Sequence, residues 1–318
     1  MHCNSLNRPQ KRHATTKATD GAFRIRKAKR PNPHIHPERT IVDKKRKHLI
    51  RLGAGVAAGL GAAALAWTGV AANAEDTPGG DFDAQIIGGG PAEEGRYPWL
   101  VGLGSAGEGT PWERQFCGGS VIAADVVLTA AHCVEDVTDP ETLVVFSGSV
   151  DLESDAVVET SVAAVHVAED YNDPIAMAND WALLKLDEPV DVDPIPLSTD
   201  PAEFGALETA GWGDTGEEYP TVAHWVEVPF VGDADCEAAY PGEVDAASML
   251  CAGDVENGGV DSCQGDSGGP IMAEEDGELI LAGVVSWGYG CAEPGNPGVY
   301  AEVADFDDAI GEVLAGWE

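Results

Sequence analysis

The stretch of this chain best equipped for chemistry is a serine set among glycines, Gly265-Asp266-Ser267-Gly268-Gly269-Pro270. Glycine on either side permits a tight turn and leaves the backbone N–H groups of Gly265 and Ser267 unshielded. A carbonyl brought to the Ser267 hydroxyl would meet two donors able to hold a developing oxyanion, which is the equipment of acyl transfer. Alone, the same hexapeptide reads more readily as a glycine-rich turn with a solvated serine. A hydroxyl is a poor nucleophile at neutral pH, so the chemistry needs a base to take its proton and a third group to orient that base. Thr129-Ala130-Ala131-His132-Cys133 follows the apolar run from Val121 to Leu128, which predicts a buried strand delivering His132 at its end. His166 and His224 lie in alternating, strand-like surroundings and read as structural or surface groups. In Asn179-Asp180-Trp181-Ala182-Leu183-Leu184-Lys185-Leu186 a carboxylate sits at the edge of an apolar strand, where Asp180 can be buried against the imidazole. Asp266 needs a cationic partner, and no Lys or Arg occurs from Gly258 to Gly283.

These residues must be held by something, and from position 86 onward the chain has 233 residues, ample for a large core. Short apolar segments separated by Gly, Pro and Asp turns predict an all-β protein. A helix over residues 305–316 is expected to close it, with Asp305 as its cap and Phe306, Ile310 and Leu314 as its inward stripe. Upstream, residues 1–51 carry 15 of the 18 Lys and Arg residues. The apolar stretch Leu52 to Ala74 ends in Ala72-Asn73-Ala74, an A-x-A cleavage signal, so residues 1–74 read as a basic leader and export signal and 75–85 as a short acidic propeptide. Its low side-chain bulk and that signal argue against a permanent membrane anchor.

The whole chain has a formal charge of −37, but from Ile86 onward only Arg96, Arg114 and Lys185 oppose 48 acidic residues, a net of −45. Such a surface excludes nucleic acid and anionic membranes as partners. It also suits high salt, where the screening length shrinks to about 3 Å at 1 M. Six of the seven cysteines, at 117, 133, 236, 251, 263 and 291, lie in this region and allow 15 pairings, while Cys3 is left in the leader. Their spacings lack the paired C-x-x-C units of a zinc site.

Taken in order, Ile86-Ile87-Gly88-Gly89, TAAHC, DWALLKL, Gly211-Trp212-Gly213, GDSGGP and SWGYGC at 286–291 resemble the chymotrypsin–trypsin family. The run from Gly258 to Tyr300 is especially similar to secreted bacterial trypsins. The resemblance spans residues 86–318 and implies two antiparallel six-stranded β-barrels, roughly 86–195 and 196–305, with the site between them. It implies a Ser-His-Asp mechanism in which His132 is base and acid, Asp180 orients it, Ser267 attacks, and the amides of Gly265 and Ser267 form the oxyanion hole. Asp261 matches the carboxylate at the base of the primary pocket, selecting Arg or Lys in peptide or protein substrates. Gly288 and Gly298 match walls that must stay small, and Ser286 and Trp287 match the edge along which substrate backbone pairs. Cleavage before Ile86 would free an ammonium to pair with Asp266. Because the preceding residue is Gln85, a separate activating protease is expected. The resemblance further implies bridges Cys117–Cys133, Cys236–Cys251 and Cys263–Cys291, a monomer met by protein inhibitors, no cofactor for catalysis, and a structural calcium ion at Asp233 and Glu302.

Overall fold

The structure, a computed structural model, describes residues 86–199 and 204–317; the expected leader and propeptide lie outside the described residues. Thirteen strands occur among them. They are β1 (Gly90–Pro91), β2 (Leu100–Ser105), β3 (Gln115–Ala123), β4 (Val126–Thr129), β5 (Leu143–Ser147), β6 (Val158–Val167) and β7 (Ala182–Leu186). After the connection come β8 (Ala206–Gly211), β9 (His224–Val231), β10 (Met249–Ala252), β11 (Pro270–Glu275), β12 (Glu278–Trp287) and β13 (Gly298–Glu302). Strands β2-β3-β4-β7-β6-β5 close one antiparallel barrel. The order β8-β9-β10-β13-β12-β11, with β11 pairing back to β8, closes the second. The expected all-β, two-barrel architecture is therefore the observed one.

Period-two patterning explains the first barrel. Along β7, Leu184 and Leu186 join Val101, Leu103, Val121, Val127 and Val145 in the barrel interior, while Leu183 faces a different buried cluster. Lys185, on the outward side, reaches Asp125 at 2.8 Å. Burial of each such aliphatic side chain stabilises the fold by roughly 1.5–3 kcal/mol. Leu207, Val228, Leu250, Ile271, Ala282 and Tyr300 fill the second barrel. A shared cluster draws Leu128 and Leu183 from the first barrel and Trp212, Met272 and Leu281 from the second, so the seam between barrels is itself core.

Three local expectations are corrected. The apolar run Val121 to Leu128 is not one strand; it is the end of β3 and the first three residues of β4, joined by a turn at Ala124-Asp125 that lacks both Gly and Pro. The boundary 86–195 for the first barrel fails at its start. β1 pairs with β9, Gly90 opposite Trp225 and Pro91 opposite His224, and Ile86 is fully buried in the second barrel's cluster. Besides two short helices, α1 (Pro111–Arg114) and α2 (Asp233–Ala239), the closing helix α3 spans Asp307–Trp317. Asp305 belongs to the 3-10 turn Val303–Asp305 before it, with Phe306 between it and the first residue of α3. The expected stripe does face inward: Phe306 stacks on Trp181 with centroids 5.3 Å apart, Ile310 is buried and Leu314 packs partly against the same cluster.

Candidate active site

Antiparallel pairing sets Thr129, the last residue of β4, opposite Ala182, the first of β7. The chain leaves β4 through a 3-10 turn, Ala131–Cys133, and enters β7 from Asp180, so the two flanking segments must meet. They do. Asp180 is fully buried; its Oδ1 accepts the backbone N–H of His132 at 2.9 Å and its Oδ2 lies 2.7 Å from His132 Nδ1. A carboxylate there calls for a proton on Nδ1 and leaves Nε2 as the basic nitrogen. Ser286 Oγ donates to the same Oδ2 at 2.5 Å, a role its sequence position did not signal. β12 bulges between Val285 and Trp287, which takes Ser286 out of the ladder and aims its side chain at Asp180.

The loop carrying Ser267 answers where its backbone hydrogen bonds go. The Gln264 carbonyl accepts from Asp214 N, the Gly265 carbonyl from Gln115 Nε2, and the Ser267 carbonyl from Gly118 N. Asp266 N donates to the Cys263 carbonyl, Asp266 O accepts from Gly269 N, and Gly268 N donates to Val285 O. Between Gln264 O and Gly268 N only the N–H groups of Gly265 and Ser267 have no acceptor among the described residues. Two spare donors flanking one hydroxyl are what an oxyanion requires. The turn demands glycine: Gly265 has φ +100° and Gly268 φ +79°, and a Cβ on Gly268 would strike the Thr129 side chain. That contact also places the loop against the end of β4, beside His132. Ser267 Oγ makes no hydrogen bond among the described residues, so its approach to His132 Nε2 is left to the reacting complex, where such contacts commonly tighten.

Next to Ser267 opens a cavity of about 170 Å³ lined by Asp261, Ser262, Ser286, Trp287, Gly288 and Gly298, among others. Gly288 and Gly298 form facing walls, since a Cβ on Gly288 would come 3.8 Å from Gly298 Cα. At the floor, Asp261 is only 4% exposed and accepts from Ser262 N at 2.8 Å, Tyr300 Oη at 3.2 Å and Ala292 N at 3.3 Å. Burial outweighs these donors and pushes its carboxyl up to about 6. A roomier surface groove, near 420 Å³ and lined by Glu94, Ser149 and Asp191, has no histidine in its lining, so size does not identify the site.

Asp266 is fully buried, accepts from Gly213 N at 2.8 Å and Cys263 N at 2.9 Å, and is pushed up to about 7, chiefly by burial. The segment at Ile86 docks nearby: the Ile87 carbonyl accepts from Asp261 N at 3.2 Å, and Ile87 reaches toward Gly216 in the loop after Gly213. All three expected disulfides are formed, Cys117–Cys133, Cys236–Cys251 and Cys263–Cys291. Cys263–Cys291 joins two residues of the cavity wall. His166, on β6, packs on Trp181 with centroids 5.7 Å apart, and His224 lies buried on β9. Among the described residues, the sole trio of potential metal-ligating side chains in close array is Cys117, His132 and Cys133, whose cysteines are consumed by a disulfide. Asp233 begins α2 and Glu302 ends β13; burial, then the charges of Asp305 and Asp233, push the Glu302 carboxyl up to about 7.

A buried acid–histidine pair and a glycine-flanked hydroxyl, meeting where two antiparallel barrels share a core, define a serine hydrolase of the double-barrel class. The family model for trypsin matches residues 86–310. The chain is 38% identical over 239 residues to a trypsin-like protease of Streptomyces glaucescens, covering 73% of this chain and 84% of that protein. It is 40% identical over 241 residues to Trypsin-1 of Astacus astacus, covering 71% and 98%, and 40% identical over 235 residues to a trypsin of Saccharopolyspora erythraea, covering 72% and 98%. The chain belongs to the trypsin family and is a trypsin-like serine endopeptidase acting on proteins or peptides.

Proposed function

We propose that this endopeptidase cleaves after Arg or Lys, is exported as a zymogen, and works in concentrated salt. The single observation carrying the specificity is Asp261, an anion at the floor of a narrow cavity beside the nucleophile. As the Ser267 Oγ–carbon bond forms, the hydroxyl proton passes to His132 Nε2 and the carbonyl electrons move onto an oxygen held by the Gly265 and Ser267 amides. Collapse breaks the C–N bond and His132 protonates the leaving amine. Water then attacks the acyl-enzyme through the same base, releasing the acid and restoring Ser267. Asp180, held by three donors, keeps the imidazole in one tautomer. The test is an assay of the form beginning at Ile86 on Arg, Lys, Phe and Ala peptide substrates; preference for Phe would overturn the pocket reading.

Activation follows from the same groups. A free Ile86 ammonium, with a pKa of about 7.7–8.0 when exposed, would supply the cation that buried Asp266 lacks. A protease selecting Arg or Lys cannot cut after Gln85. It also has few sites in itself, because the three basic residues after position 85 are all ion-paired: Arg96 to Glu208 at 3.0 Å, Arg114 to Glu159, and Lys185 to Asp125 at 2.8 Å. Lys185 lies in β7, paired on both edges by β4 and β6. Incubating a Ser267→Ala precursor with active enzyme should therefore yield no new terminus at Ile86, while protein recovered from culture medium should begin there. Efficient appearance of that terminus in the mixture, found by mass spectrometry, would refute dependence on a second protease.

Calcium and salt act on the same excess of carboxylates. The hard oxygens of Asp233 and Glu302 suit calcium, which would hold together groups that otherwise repel. The folded pKa of Glu302 lies above the 4.5 ordinary for a glutamate, so the fold favours the protonated form. Its stabilising contribution is present below about pH 4.5 and is lost as pH rises toward 7. Calcium should consequently raise Tm more at pH 8 than at pH 5, over and above the rise caused by molar KCl through screening. Identical melting curves with calcium and with chelator at pH 8 would remove the site, and a Tm falling with KCl would remove the salt adaptation.

A further inference from the structure

Of the six partners that hold the loop from the Gln264 carbonyl to the Gly268 amide, five are main-chain groups, and only the one on the Gly265 carbonyl is a side chain. That side chain, Gln115, begins β3 of the first barrel, 150 residues away from the loop it touches. Its Nε2 donates to the Gly265 carbonyl at 3.1 Å and to the Cys117 carbonyl at 3.0 Å, using both amide hydrogens. Both partners are acceptors, so the amide nitrogen and not its oxygen must face them. The stem runs close along β2: a Cβ on Gly102 would lie 3.3 Å from Gln115 Cγ, so glycine at that position leaves the space the stem occupies.

We infer that Gln115 is a positioning residue for the oxyanion hole, acting across the seam between barrels. The inference rests on reading the spare Gly265 and Ser267 amides as that hole. Gly265 has two soft dihedrals and no side chain to restrain them, with φ at +100°. The Gly265 N–H shares a peptide plane with the Gln264 carbonyl, which Asp214 N holds, and the Gly265 carbonyl on the next plane is the handle by which the first barrel keeps the Cα between them from turning. Gly118 N, four residues into the same strand β3, holds the Ser267 carbonyl at 2.7 Å. One strand of the first barrel thus fixes both residues whose amides face the oxyanion. Of the two ties, the one through Gln115 is open to substitution.

Two variants test this. Gln115→Met keeps the stem and removes both donors, whereas Gln115→Glu turns the end of the side chain into an acceptor facing two carbonyls. Losing an oxyanion donor outright costs about 10²–10³ in kcat, and a donor left in place but poorly aimed should cost less. The expected fall in kcat is about tenfold for Gln115→Met and larger for Gln115→Glu, with KM within about twofold. A substrate-like peptide aldehyde, whose hemiacetal with Ser267 places an oxygen in the hole, should lose affinity by the same factor as kcat/KM. Benzamidine, which occupies only the Asp261 cavity, should bind as before. Unchanged aldehyde affinity in both variants would overturn the inference, as would aldehyde and benzamidine weakening equally alongside a lowered Tm. If the unmodified enzyme itself binds the aldehyde no better than the matching alcohol, the reading of the hole fails rather than that of Gln115.

Discussion

Changing Ser267 to Ala is expected to lower kcat by about 10⁶, and adding His132→Ala to that variant to lower it little further. The magnitude is carried over from serine proteases at large; the non-additivity follows from this site's arrangement. His132 has a purpose in acylation only if a hydroxyl is present to give up its proton, so once the nucleophile is gone the base has nothing left to activate. The rate that survives should still exceed that in water by about 10³–10⁴, because the Gly265 and Ser267 amides are main chain and remain in the variant. Ser267 Oγ makes no hydrogen bond among the described residues, so the melting temperature should not move. Stopped assays on variants quantified by absorbance, with a covalent active-site titrant used only to exclude contaminating unmodified enzyme, would decide the matter. Multiplicative losses in the double variant, or one hundredth of the activity surviving in Ser267→Ala, would mean that another group attacks.

Asp261→Ser should reduce kcat/KM for Arg and Lys substrates by about 10⁴ while leaving small neutral substrates nearly unaffected. A guanidinium carried into the cavity leaves water, and without the carboxylate it would be buried unpaired. The unliganded carboxyl is pushed up to about 6 by burial, so it begins to take up a proton as pH falls through that value. A protonated Asp261 attracts a cation less. The ratio of kcat/KM for an Arg substrate to that for an Ala substrate should therefore decline below about pH 6 in the native enzyme and stay flat in Asp261→Ser. Once the guanidinium is bound it favours the ionised form, so kcat at saturation should carry less of this decline. A ratio equally pH-dependent in both proteins would dissociate Asp261 from specificity.

The site was legible where chemistry restricts residue type at a fixed place. Ser267 among glycines, His132 after an apolar segment, and Asp180 before another could be read before any coordinates. Cys263–Cys291 and Asp261 became legible only through likeness to known sequences, since acidic residues and cysteine pairings are degenerate by themselves. Where interactions run through main chain, the sequence carried no sign of them. β1 pairs only Gly90 and Pro91 with β9, too short for a pattern, so the entry of the chain into the second barrel went unread. The turn at Ala124-Asp125 carries a single turn former, Asp125, with neither Gly nor Pro beside it, which hid a hairpin inside one apolar run. Asp305 looked like a helix cap because the 3-10 turn ahead of α3 has no distinct composition. Gln115 and Ser286 were missed as partners because what they touch, a carbonyl and a buried carboxylate, lies 150 and 106 residues away.

The two idle amides beside Ser267 belong to the peptide backbone, and their aim is set almost wholly by other peptide groups. No exchange of one ordinary side chain for another can delete them, so they pass intact through any amount of surface drift. The selectivity proposed for the cavity, in contrast, hangs on a single carboxylate, Asp261, that one codon change can remove. An ancestral scaffold of this kind can acquire new dietary preferences without reinventing how it breaks a bond, provided the glycines that allow the turn are kept. Heredity in such a molecule is divided: the reaction is stored in the path of the chain, and the choice of victim in a few replaceable side chains.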